Sequence, residues 1–173
     1  MHALTGRRCL IAGGSASLAL AALHVLVIAI GPPAYLYFGR ADLAEAASRG
    51  SLYPPLATMI IAGTLSVWGL YAFSGAGLAR RLPLLRTGLV TISGIYLLRG
   101  LILVLDIARW FAGEYFPARQ AVFSPAALAI GLCHAIGTWA LCRGEDAGAR
   151  DVDCGIGGSV GRRRSLNRRG LKP

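Results

Sequence analysis

Four long apolar stretches separated by arginine clusters constrain this chain more than any other feature. They run over residues 9–30, 55–73, 87–105 and 125–142. Each is about 18 to 22 residues, the length an α-helix with a rise of ~1.5 Å per residue needs to cross a hydrocarbon core of ~30 Å. A bilayer core offers no water to the backbone, so such a stretch is stable there when every N–H and C=O bonds within its own helix. The pattern predicts an all-α membrane protein, a bundle of four transmembrane helices.

Composition agrees. Of 173 residues, 55% are hydrophobic and 15% charged, against about 25% charged in a typical soluble domain. The four spans and their connections occupy residues 1–144 as one membrane domain and leave no length for a soluble catalytic domain. Residues 145–173 have few apolar side chains and read as a disordered basic tail.

The net charge of +10 is a reason to consider nucleic acid, but position argues for a membrane. Of 18 basic residues, 2 precede the first span, 3 (Arg80, Arg81, Arg86) lie in the second connection and 8 follow from Arg143 onward. The other two loops hold Arg40, Arg49, Arg109 and Arg119, balanced by Asp42, Glu45, Asp106 and Glu114. This asymmetry is the positive-inside bias, and it predicts both termini in the cytoplasm. Lipid is the expected partner, with anionic headgroups against the basic loops and tail and no nucleic acid. Lys172 is the one lysine among the 18 basic residues; that usage points to a GC-rich bacterial genome and hence to the inner membrane. The first span is read as uncleaved, because its apolar run continues through Ile30, beyond a signal-peptide core.

Cys9, Cys133, Cys142 and Cys154 show no C-x-x-C spacing and are expected to stay reduced thiols. Gly155 to Gly161 form no phosphate loop, since no Lys-Ser/Thr follows. Small residues recur at four-residue spacing on the first span (Gly13, Ser17, Ala21) and on the fourth (Ala127, Gly131, Ala135). Such stripes let helix backbones approach closely in lipid, within the bundle or across a homodimer or other membrane-protein partner. The first outer loop opens with Gly31-Pro32-Pro33, which ends the first helix. It continues into a short surface helix with Glu45 and Arg49 as an i,i+4 pair and Gly50 as its cap. Nine of 14 aromatics fall in the two outer loops, as an interfacial belt or a binding surface.

Ionisable groups inside spans are costly and are the first place to look for function. The chain has three, His24, Arg99 and His134. At ~1.5 Å per residue, His24 and Arg99 lie on the order of 22 and 18 Å from the basic end of their spans, and His134 on the order of 13 Å from the opposite end of its own. These depths are compatible. An arginine at a helix centre costs about 2.5–3.5 kcal/mol on insertion scales. Tyr96, Arg99, Leu103 and Asp106 share one helical face, so Arg99 is expected either to snorkel toward Asp106 or to hold an anionic ligand or headgroup. The histidines admit three readings: a b-type haem clamp with Arg99 on a propionate, a proton relay, or imidazoles bonded within the bundle, His134 for instance near Thr138. No motif demands a cofactor or a metal. Ser66 and Ser93 lack a histidine at bonding distance on their own helices, and no carboxylate lies inside a span, so hydrolytic chemistry is not expected.

Gly31-Pro-Pro-Ala-Tyr-Leu-Tyr-Phe-Gly39, Tyr71-Ala-Phe-Ser-Gly-Ala-Gly77, Arg81-Leu-Pro-Leu-Leu-Arg-Thr-Gly88 and Ile95-Tyr-Leu-Leu-Arg-Gly100 resemble small four-span proteins of Gram-negative bacteria, a group with no assigned activity. The resemblance covers about residues 10–142. It implies an inner-membrane location and four helices, places Arg99 inside a motif, and implies no site residues. The sequence thus predicts an integral inner-membrane protein without enzymatic activity, an accessory or structural membrane component. The alternative is a small ligand-binding or transport bundle centred on Arg99, His24 and His134 with Tyr96 and Asp106.

Overall fold

The computed structural model describes residues 2–38, 40–113 and 122–144. The predicted tail, residues 145–173, lies outside the described residues, as do Glu114, Tyr115, Phe116 and Arg119 of the second outer loop and the side chain of Asp106. Every regular element among the described residues is a helix: α1 (His2–Ile30), α2 (Pro32–Tyr37), α3 (Ala41–Ser48), α4 (Tyr53–Gly75), α5 (Leu85–Phe111) and α6 (Val122–Gly144). Four of them, α1, α4, α5 and α6, are long and apolar enough to cross a membrane.

Their ends differ from the apolar stretches for identifiable reasons. Prolines fit a helix's first turn, where the missing N–H has no intrahelical partner. So α4 begins at Tyr53 and carries Pro54 and Pro55 in its first turn. The Pro32-Pro33 pair ends α1 as expected but also starts α2, a helix the sequence reading missed, after Gly31 turns the chain at φ 79°. The largest shift is in α5. Its helix continues through Asp106, Arg109 and Trp110 to Phe111, residues predicted to form a loop. At ~1.5 Å per residue it is roughly 40 Å long, so its polar and aromatic end projects beyond a hydrocarbon core.

The predicted surface helix is present as α3, with Arg49 paired to Glu45. Gly50 ends it with φ 76°. Its N–H bonds the Ala47 carbonyl at 3.0 Å and the Ser51 N–H bonds that of Ala46 at 3.0 Å, the paired closure of a Schellman motif. Gly77 and Leu78 close α4 the same way, on the carbonyls of Ser74 and Phe73.

Backbone proximity sets the packing. A Cβ on Gly69 of α4 would lie 3.1 Å from the Gly14 carbonyl oxygen of α1. One on Gly13 would lie 2.6 Å from His134 Nδ1 of α6, one on Gly75 of α4 2.9 Å from Leu89 of α5, and one on Gly100 of α5 2.6 Å from Leu128 Cα of α6. The four long helices therefore form a ring in which α1 and α5 each touch both α4 and α6. Lipid tails are as apolar as leucine, so association rests on this close contact rather than on a hydrophobic force between helices. The Gly13-Ser17-Ala21 stripe faces inward, with Ser17 fully buried and Ala21 nearly so. Gly131 packs on Leu97 of α5. Large apolar side chains face out instead, Ile60 at 71% and Leu98 at 70% exposure.

Two buried apolar layers follow the ring: Leu10, Ala72, Ala76 and Leu89, then Ala21, Leu65, Ile92, Tyr96 and Ile130. A third cluster, Val27, Ala34, Tyr35 and Ala44, docks α2 and α3 as a cap on the opposite end of the bundle from Arg7. Ser74 ties the connection between α4 and α5, donating to the Arg80 carbonyl and accepting from the Leu82 N–H. Cys9, Cys133 and Cys142 are free thiols.

Candidate functional site

Polar side chains within the long helices mostly bond their own backbone. Ser17 donates to the Gly13 carbonyl, Ser66 to Ala62, Ser93 to Leu89 and Thr138 to His134, each one turn back. This is how a hydroxyl is satisfied where water is absent. The histidines do the same. His24 Nδ1 lies 2.7 Å from the Leu20 carbonyl oxygen and His134 Nδ1 2.9 Å from that of Ile130. A carbonyl only accepts, so in each ring Nδ1 carries a proton. Thr138 thus meets the His134 backbone, and the imidazole itself turns toward Ile130.

His134 is fully buried, and its Nε2 has no hydrogen-bond partner among the described residues. Tyr96 covers it with ring centroids 5.4 Å apart and planes inclined by 26°. The Tyr96 hydroxyl lies 2.9 Å from Ser17 Oγ. Because Ser17 gives its proton to Gly13, Tyr96 is the donor in this bond between α5 and α1. Trp68 of α4 meets the other side of Tyr96 edge-on, with centroids 5.2 Å apart. Tyr96 therefore sits at the bundle centre in contact with all three other long helices.

On the cap side of Tyr96 is a cavity of about 450 Å³. Its walls include Leu65, Trp68, Ile95 and Phe123, and its polar members are His24, Tyr96 and Arg99. It is built from α1, α4, α5, α6 and the residue after α2. Among the described residues the Arg99 guanidinium has no hydrogen-bond or ion-pair partner. Within α5 itself a mid-helix arginine finds no open acceptor, since the surrounding carbonyls already bond the next turn.

Of the residues singled out in sequence, His24, Arg99 and Tyr96 share this cavity. His134 lies behind Tyr96 and does not line it. The side chain of Asp106 is outside the described residues. Trp68 is a cavity residue that sequence reading missed. Phe38 and Phe123 belong to the outer-loop aromatics read as an interfacial belt or a binding surface, and their meeting, at 5.7 Å between centroids, is not encoded by local spacing. Among the described residues no three His, Cys, Asp or Glu side chains come together as a metal site. Compared with known proteins, the chain matches no protein-family model, no curated protein and no solved structure.

Proposed function

We propose that this chain is a multi-pass protein of the bacterial inner membrane, with both termini in the cytoplasm, that binds an amphiphile with an anionic head and catalyses no reaction itself. One observation carries this reading: Arg99, with no partner among the described residues, lines an apolar cavity at mid-helix depth together with His24 and Tyr96. An arginine there costs about 2.5–3.5 kcal/mol on insertion scales, and a carboxylate or phosphate ester beside it offsets much of that cost by a charge-assisted hydrogen bond. The apolar rings of Trp68, Phe38 and Phe123 suit a hydrocarbon chain. A cavity of about 450 Å³ lies in the size range of small-molecule sites.

The positive-inside asymmetry supports the orientation, and Arg80, Arg81, Arg86 and the basic tail are then placed to meet anionic headgroups. The accessory role rests on small size and on the lack of a catalytic constellation. The small-residue stripe of α1 no longer argues for a partner helix, since it is used inside the monomer. A haem between His24 and His134 draws no support from the geometry, because Tyr96 separates the two rings.

The test is the mass spectrum of what co-purifies with full-length protein in mild detergent, beside its absorption spectrum. The expected result is a stoichiometric anionic amphiphile, absent from Arg99→Leu protein that still inserts and folds. Equal retention by both proteins, or a Soret band that His24→Ala removes, would overturn the reading.

A further inference from the structure

The Arg99 cavity has a neighbour. A space of about 190 Å³ lies beneath the α2–α3 cap, with Val27, Tyr35, Arg40 and Thr58 among its walls. The two spaces share four residues: Leu23, His24, Phe38 and Ile61. Leu23 and His24 belong to α1 and Ile61 to α4, so they are fixed by the packed ring. Phe38 is different. It follows α2 and belongs to the cap, and its ring rests on other aromatics, 5.2 Å from Tyr37 and 5.7 Å from Phe123 between centroids.

The cap is bracketed by two glycines in left-handed conformation, Gly31 at φ 79° and Gly50 at φ 76°, each with open space where a Cβ would stand. Between them the cap is held by the Val27-Ala34-Tyr35-Ala44 cluster and by a 3.2 Å hydrogen bond between Tyr35 and Thr58. Two residues beyond Phe38, Arg40 lines the cap space and pairs with exposed Asp42 at 3.0 Å. An arginine therefore stands in each space, with one aromatic ring on the shared wall.

We propose that the amphiphile enters from the outer face beneath the cap, and that Phe38 is the gate between the Arg40 space and the Arg99 cavity. This rests on the binding function proposed above. Arg40 attracts the anionic head at the surface. Rotation of the Phe38 ring joins the two spaces, and the head moves past His24 to Arg99 while the chain lies among Trp68, Ile95 and Phe123. Such a gate governs rates in both directions, whereas Arg99 governs affinity.

The experiment uses full-length protein in phosphatidylcholine nanodiscs, with Trp110→Phe and Trp139→Phe so that Trp68 alone reports on the cavity. The probe is dibrominated stearate, whose bromines quench a tryptophan they touch, mixed in stopped flow. Opening the gate with Phe38→Ala should raise association and dissociation rates together, by about tenfold or more each, the lost contact of the Phe38 ring adding to dissociation. Phe38→Leu, which keeps apolar volume and guards against simple misfolding, should fall between. Arg40→Gln should slow association alone and flatten its salt dependence. If Phe38→Ala and Phe38→Leu leave both rates unchanged while Arg99→Leu still abolishes quenching, entry is lateral from the bilayer and the gate is overturned, though the binding function stands. A rise in dissociation alone would make Phe38 a simple wall contact and also overturn it. No quenching in the starting protein would remove the binding function and the gate together.

Discussion

Of the cavities in this bundle that carry arginines, the one at the Arg7 end and the one at Arg99 differ in what meets the charge. At the Arg7 end, a recess of about 290 Å³ is lined by Arg7 and Arg81 among the glycines of three helices. Arg7 Nε donates to the Ala76 carbonyl at 3.0 Å, at the end of α4 where carbonyls have no onward partner. Arg81 is engaged as well. Arg99 instead stands midway along α5, and among the described residues no group takes up its guanidinium. The supply of backbone acceptors, more than the number of charges, separates an arginine held by the fold from one with no partner among the described residues. A C-terminal helix end supplies acceptors and also favours a cation through its dipole. The middle of a helix supplies none.

Four measurements break or sharpen this contrast. The largest effect is expected from Gly100→Ala, which places a Cβ 2.6 Å from Leu128 Cα and 2.8 Å from its nitrogen. Backbone cannot step aside as a side chain can, so α5 and α6 must part, at a cost of about 1–3 kcal/mol, read as a lowered melting temperature in detergent. Gly63→Ala, with nothing within 4 Å, is the matched control and should be neutral or slightly stabilising. Equal melting temperatures for the two would refute the packed ring. Next, Arg99→Leu should weaken amphiphile binding by at least about tenfold, some 1.4 kcal/mol, without lowering thermal stability. Arg7→Lys should do the reverse: it keeps the charge but loses the Nε donor to Ala76, costing about 1 kcal/mol of stability with binding intact. Exchanged phenotypes for these two variants would reverse the comparison.

The smallest effect concerns the cap. Arg40 donates to Asp42 and holds its carboxyl below the usual carboxylate range. A carboxyl with a depressed folded value stabilises the fold above its unfolded value, near pH 4, and that contribution fades as pH falls through the folded value. The pair is solvent-exposed, so the effect is small. Asp42→Asn should leave unfolding unchanged at acid pH and lower the melting temperature slightly at neutral pH, measured at low salt. A difference that grows toward acid pH would contradict the pairing.

Much of this architecture is legible in sequence because lipid imposes a length and a polarity on each span. The four long helices, the ending of α1 at Gly31, the Glu45–Arg49 pair and the Gly50 cap all follow from local rules. Helix ends were harder. Hydropathy falls at Asp106, but helix formation continues to Phe111, so α5 outruns its apolar stretch. Pro32-Pro33 was read as a stop although the same prolines suit a first turn, and α2 went unseen. Arg99 and His24 stood out because ionisable groups at depth are rare, and Tyr96 because it shares a helical face with Arg99. That they share a cavity, and that His134 lies behind Tyr96, depends on which helices become neighbours. The glycines at positions 13, 69, 75 and 100 decide that through contacts between distant parts of the chain, which no single-helix pattern contains.

The habit of bonding one turn back has a consequence for biogenesis. Ser17, Ser66, Ser93, Thr138 and both histidines find partners on their own helices, so none of these groups keeps its helix from leaving the insertion machinery and resting in lipid alone; Arg99 of α5 is the exception. Assembly is then a later docking step guided by glycine-lined surfaces, with the Tyr96–Ser17 bond forming only when α5 meets α1. A mutation in those surfaces should therefore yield correctly threaded but unassembled protein, a substrate for membrane proteases and not for the machinery that rejects failed insertion.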